Sequence, residues 1–315
     1  MSYVTVGKEN SESIALYYED HGSGAPVVLI HGFPLSGAAW EKQVAALLTA
    51  GYRTITYDRR GFGKSSQPAI GYDYDTFAAD LNTLMTQLNL RDAVLVGHSM
   101  GTGEVTRYLG TYGSERVRKA VVVAPIPPFL LESADNPEGV PKSAIDSTLQ
   151  SIAADRFAYL SAFLHDFYNL DVTLGKRVSD EVVRANWDVA AGASGVGTAA
   201  CPPTWLTDFR SDLPRIKVPM LIIQGDADRI LPFPATGKRL HEALKGSQLV
   251  VLEGGPHGIP WTHAEEINRA LLGFLGADGL APGAQTGTGT GAAVDLPAGI
   301  EAMGAQDAQD TRPTP

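Results

Sequence analysis

The sequence predicts an α/β fold: eight strands in a mostly parallel sheet, helices on both faces, and a helical insertion before the last strands. Three observations carry this. Residues 27–30, 93–96, 120–124 and 219–223 are short apolar runs without polar alternation, as expected of strands buried on both faces. Segments of helical composition lie between them, and strands alternating with helices build right-handed βαβ units. From Pro125 to Pro214 the alternation lapses into a proline-punctuated stretch rich in aromatic residues, and then resumes.

In chain order, residues 2–6 and 14–19 read as two short strands joined by a polar turn, a hairpin at a sheet edge. Strand 27–30 runs into His31-Gly32-Phe33-Pro34-Leu35-Ser36-Gly37. Residues 40–50 are helical and Gly51 closes them. Strand 54–57 leads to Asp58-Arg59-Arg60-Gly61-Phe62-Gly63-Lys64-Ser65. Residues 75–88 form an amphipathic helix with Phe77, Leu81, Leu84, Met85 and Leu88 on one face. Strand 93–96 and helix 102–112 flank Gly97-His98-Ser99-Met100-Gly101. After the insertion come strand 219–223, helix 235–244, strand 248–252 and a closing helix over 262–275. Thr262 is its expected N-cap, and Glu265 completes a capping box. The expected division is a core over 1–124 and 215–276, a helical cap over 125–214, and a disordered tail over 277–315.

The 315 residues are 44% hydrophobic, enough for one large α/β domain. A net charge of −10 argues against a nucleic-acid partner. One cysteine, Cys201, excludes an internal disulfide and suits a reducing compartment. Residues 1–13 lack an apolar signal core and no run is long enough to cross a membrane, so a cytoplasmic location is expected. The tail has almost no aromatic or branched residues and cannot offset its ordering entropy. Its one apolar cluster, 296–303, is a candidate docking peptide for another protein. Gly287-Thr288-Gly289-Thr290-Gly291-Ala292 imitates a dinucleotide fingerprint but lacks the flanking strand and helix.

Gly-x-Ser-x-Gly between strand and helix reads as a nucleophile elbow. The serine sits at a strained backbone angle, and Cβ atoms at 97 or 101 would collide with neighbouring elements. A serine nucleophile needs a base, and the base an orienting carboxylate, in the order Ser, Asp or Glu, His on this kind of sheet. Asp226 and Asp228 follow strand 219–223, and His257 follows strand 248–252. Asp228 is the expected acid, because Asp226 lies beside the strand-end glycine where it caps the turn. His257 is the expected base, its ring exposed by small and rigid neighbours. His31 is expected to bond loop backbone, and His98 to point away from the hydroxyl and pack. His21, His165, His241 and His263 have no supporting context, and no cluster has metal-ligand spacing, so no metal or other cofactor is expected. The backbone N–H groups of Met100 and Phe33 are the expected oxyanion hole. Pro34 holds Phe33 at extended angles. Asp58, Arg59 and Arg60 read as a charged network bracing that loop. Phe129, Phe163, Trp205 and Ile230 are candidates, with Pro34, for the substrate pocket.

The loop 31–37, Tyr57-Asp58-Arg59-Arg60-Gly61-Phe62-Gly63-Lys64-Ser65, Ser99-Met100-Gly101-Thr102-Gly103-Glu104-Val105 and Pro256-His257-Gly258 together resemble the cofactor-free haloperoxidases, or perhydrolases, of the α/β-hydrolase fold superfamily. Trp205-Leu206-Thr207-Asp208-Phe209-Arg210 and Trp261-Thr262-His263-Ala264-Glu265-Glu266 extend the resemblance, which runs from residue 1 to about 275. It implies Ser99 as nucleophile, Asp228 as acid and His257 as base. It implies esterase activity on small or aryl esters. It also implies metal-free perhydrolysis, in which hydrogen peroxide replaces water and a carboxylic acid leaves as a peracid that oxidises halide. In the family a proline at position 34 goes with peracid formation. Relatives are often trimers or larger, which implies a homo-oligomer. His98 departs from the family's usual aromatic, and the tail has no counterpart. Carbon–carbon bond hydrolysis, or ligand binding without turnover, are the alternatives the residues leave open.

Overall fold

The apolar runs become the middle of one sheet in the computed structural model, which describes residues 2–276. The strands are β1 (Ser2–Glu9), β2 (Glu12–His21), β3 (Pro26–Ile30), β4 (Arg53–Tyr57), β5 (Ala93–His98), β6 (Val117–Val123), β7 (Met220–Gly225) and β8 (Gln248–Leu252). Their spatial order is β1-β2-β4-β3-β5-β6-β7-β8. β1 and β2 are antiparallel, as are β2 and β4; from β4 onward the ladder is parallel.

The period of two explains why whole strands are apolar. Val28, Ile30, Leu95, Val122 and Ile222 face one layer, while Val27, Leu29, Val96, Val121 and Ile223 face the other, and both layers are dry. The first layer is filled by α2 (Tyr74–Gln87), α3 (Met100–Tyr112) and α8 (Gly237–Ala243). The second is filled by α1 (Glu41–Thr49), α9 (Ile259–Thr262) and α10 (Ala264–Gly276). Asp73 caps α2 by accepting from the Thr76 N–H at 2.8 Å.

Between β6 and β7 the chain forms α4 (Lys142–Tyr168), α5 (Leu170–Thr173), α6 (Asp180–Ala191) and α7 (Gly195–Thr204). α4 is broken at Asp155, whose carboxylate accepts from the N–H groups of Phe157 and Ala158 and so restarts the helix. A third apolar cluster joins these helices to the loops above the sheet, through Phe33, Met100, Phe163, Phe167, Trp205 and Phe209.

Two expectations are corrected. Thr262 is not an N-cap: it ends α9, and its hydroxyl turns back to the Gly258 carbonyl at 3.3 Å. Pro260, a residue suited to a first helical turn, starts that short helix earlier, and α10 begins only at Ala264. The helix expected from 235 begins at Gly237, after a 3-10 turn over Phe233–Ala235. The tail 277–315, with its docking-peptide cluster, lies outside the described residues.

Candidate active site

Ser99 follows β5 and precedes α3 with φ +52° and ψ −121°, the left-handed half of backbone space that non-glycine residues avoid. Its glycine neighbours leave no room for a side chain on either side. A Cβ on Gly97 would lie 2.5 Å from the Gly101 carbonyl oxygen, and one on Gly101 would lie 2.4 Å from that of Ile30. The Ser99 N–H donates to the Val123 carbonyl at 2.9 Å, and the Thr102 hydroxyl donates to the Ser99 carbonyl at 2.6 Å. The hydroxyl is thus held at the edge of the sheet at the first turn of a helix.

Ser99, His257 and Asp228 meet. His257 Nε2 lies 2.8 Å from Ser99 Oγ, and Nδ1 lies 2.8 Å from Asp228 Oδ2. The other Asp228 oxygen accepts from the N–H groups of Ile230 and Leu231 at 2.9 and 2.8 Å, which fixes the carboxylate without using the face turned to histidine. The Asp226 carboxylate reaches across to the neighbouring loop: it accepts from the Gly254 N–H at 2.7 Å and ties the loop after β7 to the loop after β8.

The expected exposure of His257 is corrected. Its ring is wholly buried and Ser99 is only 5% exposed. Two rings cover the imidazole, Phe167 at 5.1 Å and His98 at 5.0 Å between centroids. The insertion also holds the loop itself. The Phe167 carbonyl accepts from the Gly258 N–H at 2.7 Å, and the Asn169 side chain donates to the Ala227 carbonyl at 2.8 Å.

His98 does more than pack. Its Nε2 lies 3.0 Å from the His257 carbonyl. A carbonyl only accepts, so Nε2 carries the proton. Burial, with the neighbouring His257 imidazole, pushes the His98 pKa down to about 3, so the ring is neutral. His31 is likewise pushed down by burial and by Arg59; it bonds the Gly32 carbonyl and accepts the Arg59 N–H, as its loop position implied.

The loop after β3 lies directly against Ser99: a Cβ on Gly32 would be 2.9 Å from Ser99 Cβ. Among the described residues the Phe33 and Met100 N–H groups have no hydrogen-bond acceptor. The Phe33–Pro34 peptide is cis. Asp58 accepts from Gly37 and Lys64 N–H groups, each at 2.7 Å. Arg59 donates to the His31 carbonyl, but Arg60 turns away to Asp80. Of the three charged residues, Asp58 and Arg59 therefore brace the loop and Arg60 does not.

Phe163, Trp205 and Ile230 line one cavity of about 410 Å³, with Leu130, Ile145 and Tyr159. Phe33 stands edge-on to Phe163 and Trp205 at 5.6 and 5.2 Å. Phe129 is elsewhere, its ring under the Arg210 guanidinium at 4.7 Å, so it is not placed with the pocket candidates. A second cavity of about 330 Å³ is lined by His98 and Phe167, the two rings that cover His257, with Gly258, Trp40 and Trp261. Sequence reading missed Glu104, Phe167 and Asn169. A lone carboxylate inside the otherwise uncharged start of α3 was the one available signal.

The α/β hydrolase fold model matches residues 25–264. A Synechocystis sp. protein, whose name of non-heme chloroperoxidase is provisional, is 66% identical over 275 residues, covering 87% of this chain and all of that protein. The non-heme chloroperoxidase CPO-A1 of Kitasatospora aureofaciens is 40% identical, over 84% of this chain and 97% of its own. The crystal structure of a Bacillus anthracis bromoperoxidase superposes with a TM-score of 0.84 at 50% identity, over 87% of this chain and 99% of that one. With that likeness and a serine, a histidine and an aspartate in contact at the strand ends, the chain belongs to the α/β-hydrolase fold family, among the non-heme haloperoxidases.

Proposed function

We propose that the protein is a serine hydrolase of small or aryl carboxylic esters that also performs metal-free perhydrolysis. The observation that carries the reading is the unbroken contact from Ser99 Oγ through the His257 ring to Asp228, two bonds of 2.8 Å. His257 takes the Ser99 proton as Oγ attacks the ester carbonyl, and Asp228 stabilises the imidazolium. The Phe33 and Met100 amides receive the negative charge that develops on the carbonyl oxygen. The alcohol leaves with the proton held on His257, and an acyl-enzyme remains. Water then releases the carboxylic acid; hydrogen peroxide, activated by the same base, releases the peracid. With a carboxylic acid as acyl donor, the leaving group is water. The peracid oxidises halide in solution: peracid, halide and a proton give carboxylic acid and hypohalous acid.

A relative from Acinetobacter calcoaceticus, 37% identical, is named a bifunctional esterase/perhydrolase, which supports pairing the two activities. Phe163, Trp205 and Ile230 form the acyl side, with the insertion over 125–214 as its cap. No helix among the described residues is long and apolar enough to cross a membrane. The test is Ser99→Ala. It should abolish both p-nitrophenyl acetate hydrolysis and acetate-dependent bromination by peroxide, and retained turnover in either assay overturns the reading. A panel of esters of graded acyl length, run with and without peroxide, then fixes the preferred acyl group and nucleophile.

A further inference from the structure

Arg59 and Glu104 are charged, yet their side chains are 1% and 0% exposed. A buried ion pair stabilises a fold no better on average than apolar residues of equal volume. Its contacts are therefore the informative property. Arg59 Nε and Nη2 each reach Glu104 Oε2 at 2.8 Å, and the Tyr57 hydroxyl donates to the other Glu104 oxygen. Arg59 Nη2 also donates to the His31 carbonyl at 2.9 Å, and its main-chain N–H donates to His31 Nε2 at 2.9 Å.

His31 and Phe33 belong to one short loop. Glu104 sits one turn into α3, the helix that Met100 begins. The guanidinium therefore bridges the segment carrying one oxyanion donor to the helix carrying the other. Both segments already press together, since a Cβ on Gly101 would meet the carbonyl oxygens of Ile30 and His31 at 2.4 and 3.0 Å.

Resting on the acyl-transfer reading above, we propose that the Arg59–Glu104 pair sets the spacing between the Phe33 and Met100 amides, making Arg59 and Glu104 positioning residues for the oxyanion. Neither touches substrate. The fork geometry is what the task requires: one planar group donates at once to a carbonyl on the loop and a carboxylate on the helix. The neighbouring Arg60–Asp80 pair supplies the comparison. It is nearly as buried, at 5% and 4%, and it bonds Ile70 instead of His31.

The test is the double variant Arg59→Met with Glu104→Leu, which removes both charges together and so leaves none unpaired in the core. For p-nitrophenyl acetate, kcat should fall about 10- to 100-fold with KM changed less than about twofold. The inhibition constant of benzeneboronic acid, which forms a tetrahedral adduct on serine, should rise by about the factor lost in kcat/KM. Arg59→Lys keeps a cation beside Glu104 without the fork, and should show the same split even if the double variant does not fold. Arg60→Met with Asp80→Leu should leave both readouts within about twofold of the parent. Folded clamp variants with unchanged kcat and boronate affinity overturn the proposal, as does an equal loss in the Arg60–Asp80 variant. Ser99→Ala separates the layers. Turnover there would remove the acyl-transfer reading and the clamp with it, whereas an inert Ser99→Ala beside unaffected clamp variants removes the clamp alone.

Discussion

Asp228→Asn probes the proposed proton path with little change of shape. In the parent, Oδ1 accepts two main-chain N–H groups, from Ile230 and Leu231, and Oδ2 faces His257 Nδ1 at 2.8 Å. Asparagine keeps the first contacts only if its oxygen takes the Oδ1 place. Its NH₂ then faces Nδ1 and donates. Nδ1 must give up its proton, which moves to Nε2 and confronts the Ser99 hydroxyl 2.8 Å away. In the proposed mechanism the base is then lost through the wrong tautomer. The reverse orientation brings an NH₂ against two N–H donors and is worse. The expected loss in kcat is about 10³- to 10⁴-fold, or about 4–5.5 kcal/mol. Hydrolysis and bromination should fall together, since in the proposed mechanism both pass through one acyl-enzyme. Initial rates with p-nitrophenyl acetate, with and without peroxide, measure the loss, and circular dichroism melting checks the fold. A folded variant retaining more than about a tenth of parental kcat would refute the tautomer argument.

Further perturbations test other links. Gly101→Ala sets a methyl 2.4 Å from a main-chain oxygen that cannot rotate away, and should cost about 1–3 kcal/mol by urea denaturation while lowering activity through the displaced elbow. His98, with its pKa lowered from 6.5 to about 3, is protonated more readily in the unfolded chain than in the folded one. Its contribution to stability is therefore complete above about pH 6.5 and declines by about 1.4 kcal/mol per unit as pH falls toward 3. His98→Phe should flatten that decline, by about 2 kcal/mol between pH 7 and 5 in urea titrations; identical pH dependence in both proteins would contradict it. Phe163→Ala should shift preference toward longer acyl chains in an ester panel. Phe129→Ala should leave that preference unchanged and lower stability by about 1 kcal/mol through the lost Arg210 stacking, read by thermal melting.

Features set by local sterics or chain order were legible in the sequence. Gly97 and Gly101 are small because backbone oxygens occupy the space a Cβ would take, and that crowding accompanies the elbow wherever its strand and helix form. Asp228 and His257 were expected to meet because loops at the carboxyl ends of neighbouring parallel strands open on the same edge. Features depending on distant segments were not legible. Glu104 finds Arg59 across 45 positions of chain, and Phe167 reaches His257 from the insertion, with no spacing rule to announce either. The same insertion hides an imidazole whose small loop neighbours suggested exposure. At Thr262 two local signals competed, and a proline at a first turn outweighed a capping box.

The helices between β6 and β7 grip the loops that carry His257 and Asp228, through the Phe167 carbonyl on Gly258 and the Asn169 amide on Ala227. On the proposed function, recognition and reactivity are consequently not separable modules in this molecule. A chimera that imports another protein's insertion to change selectivity inherits two severed anchors beneath His257 and Asp228. Such grafts should keep the last turn of α4 and Asn169 as native sequence, with junctions chosen outside them.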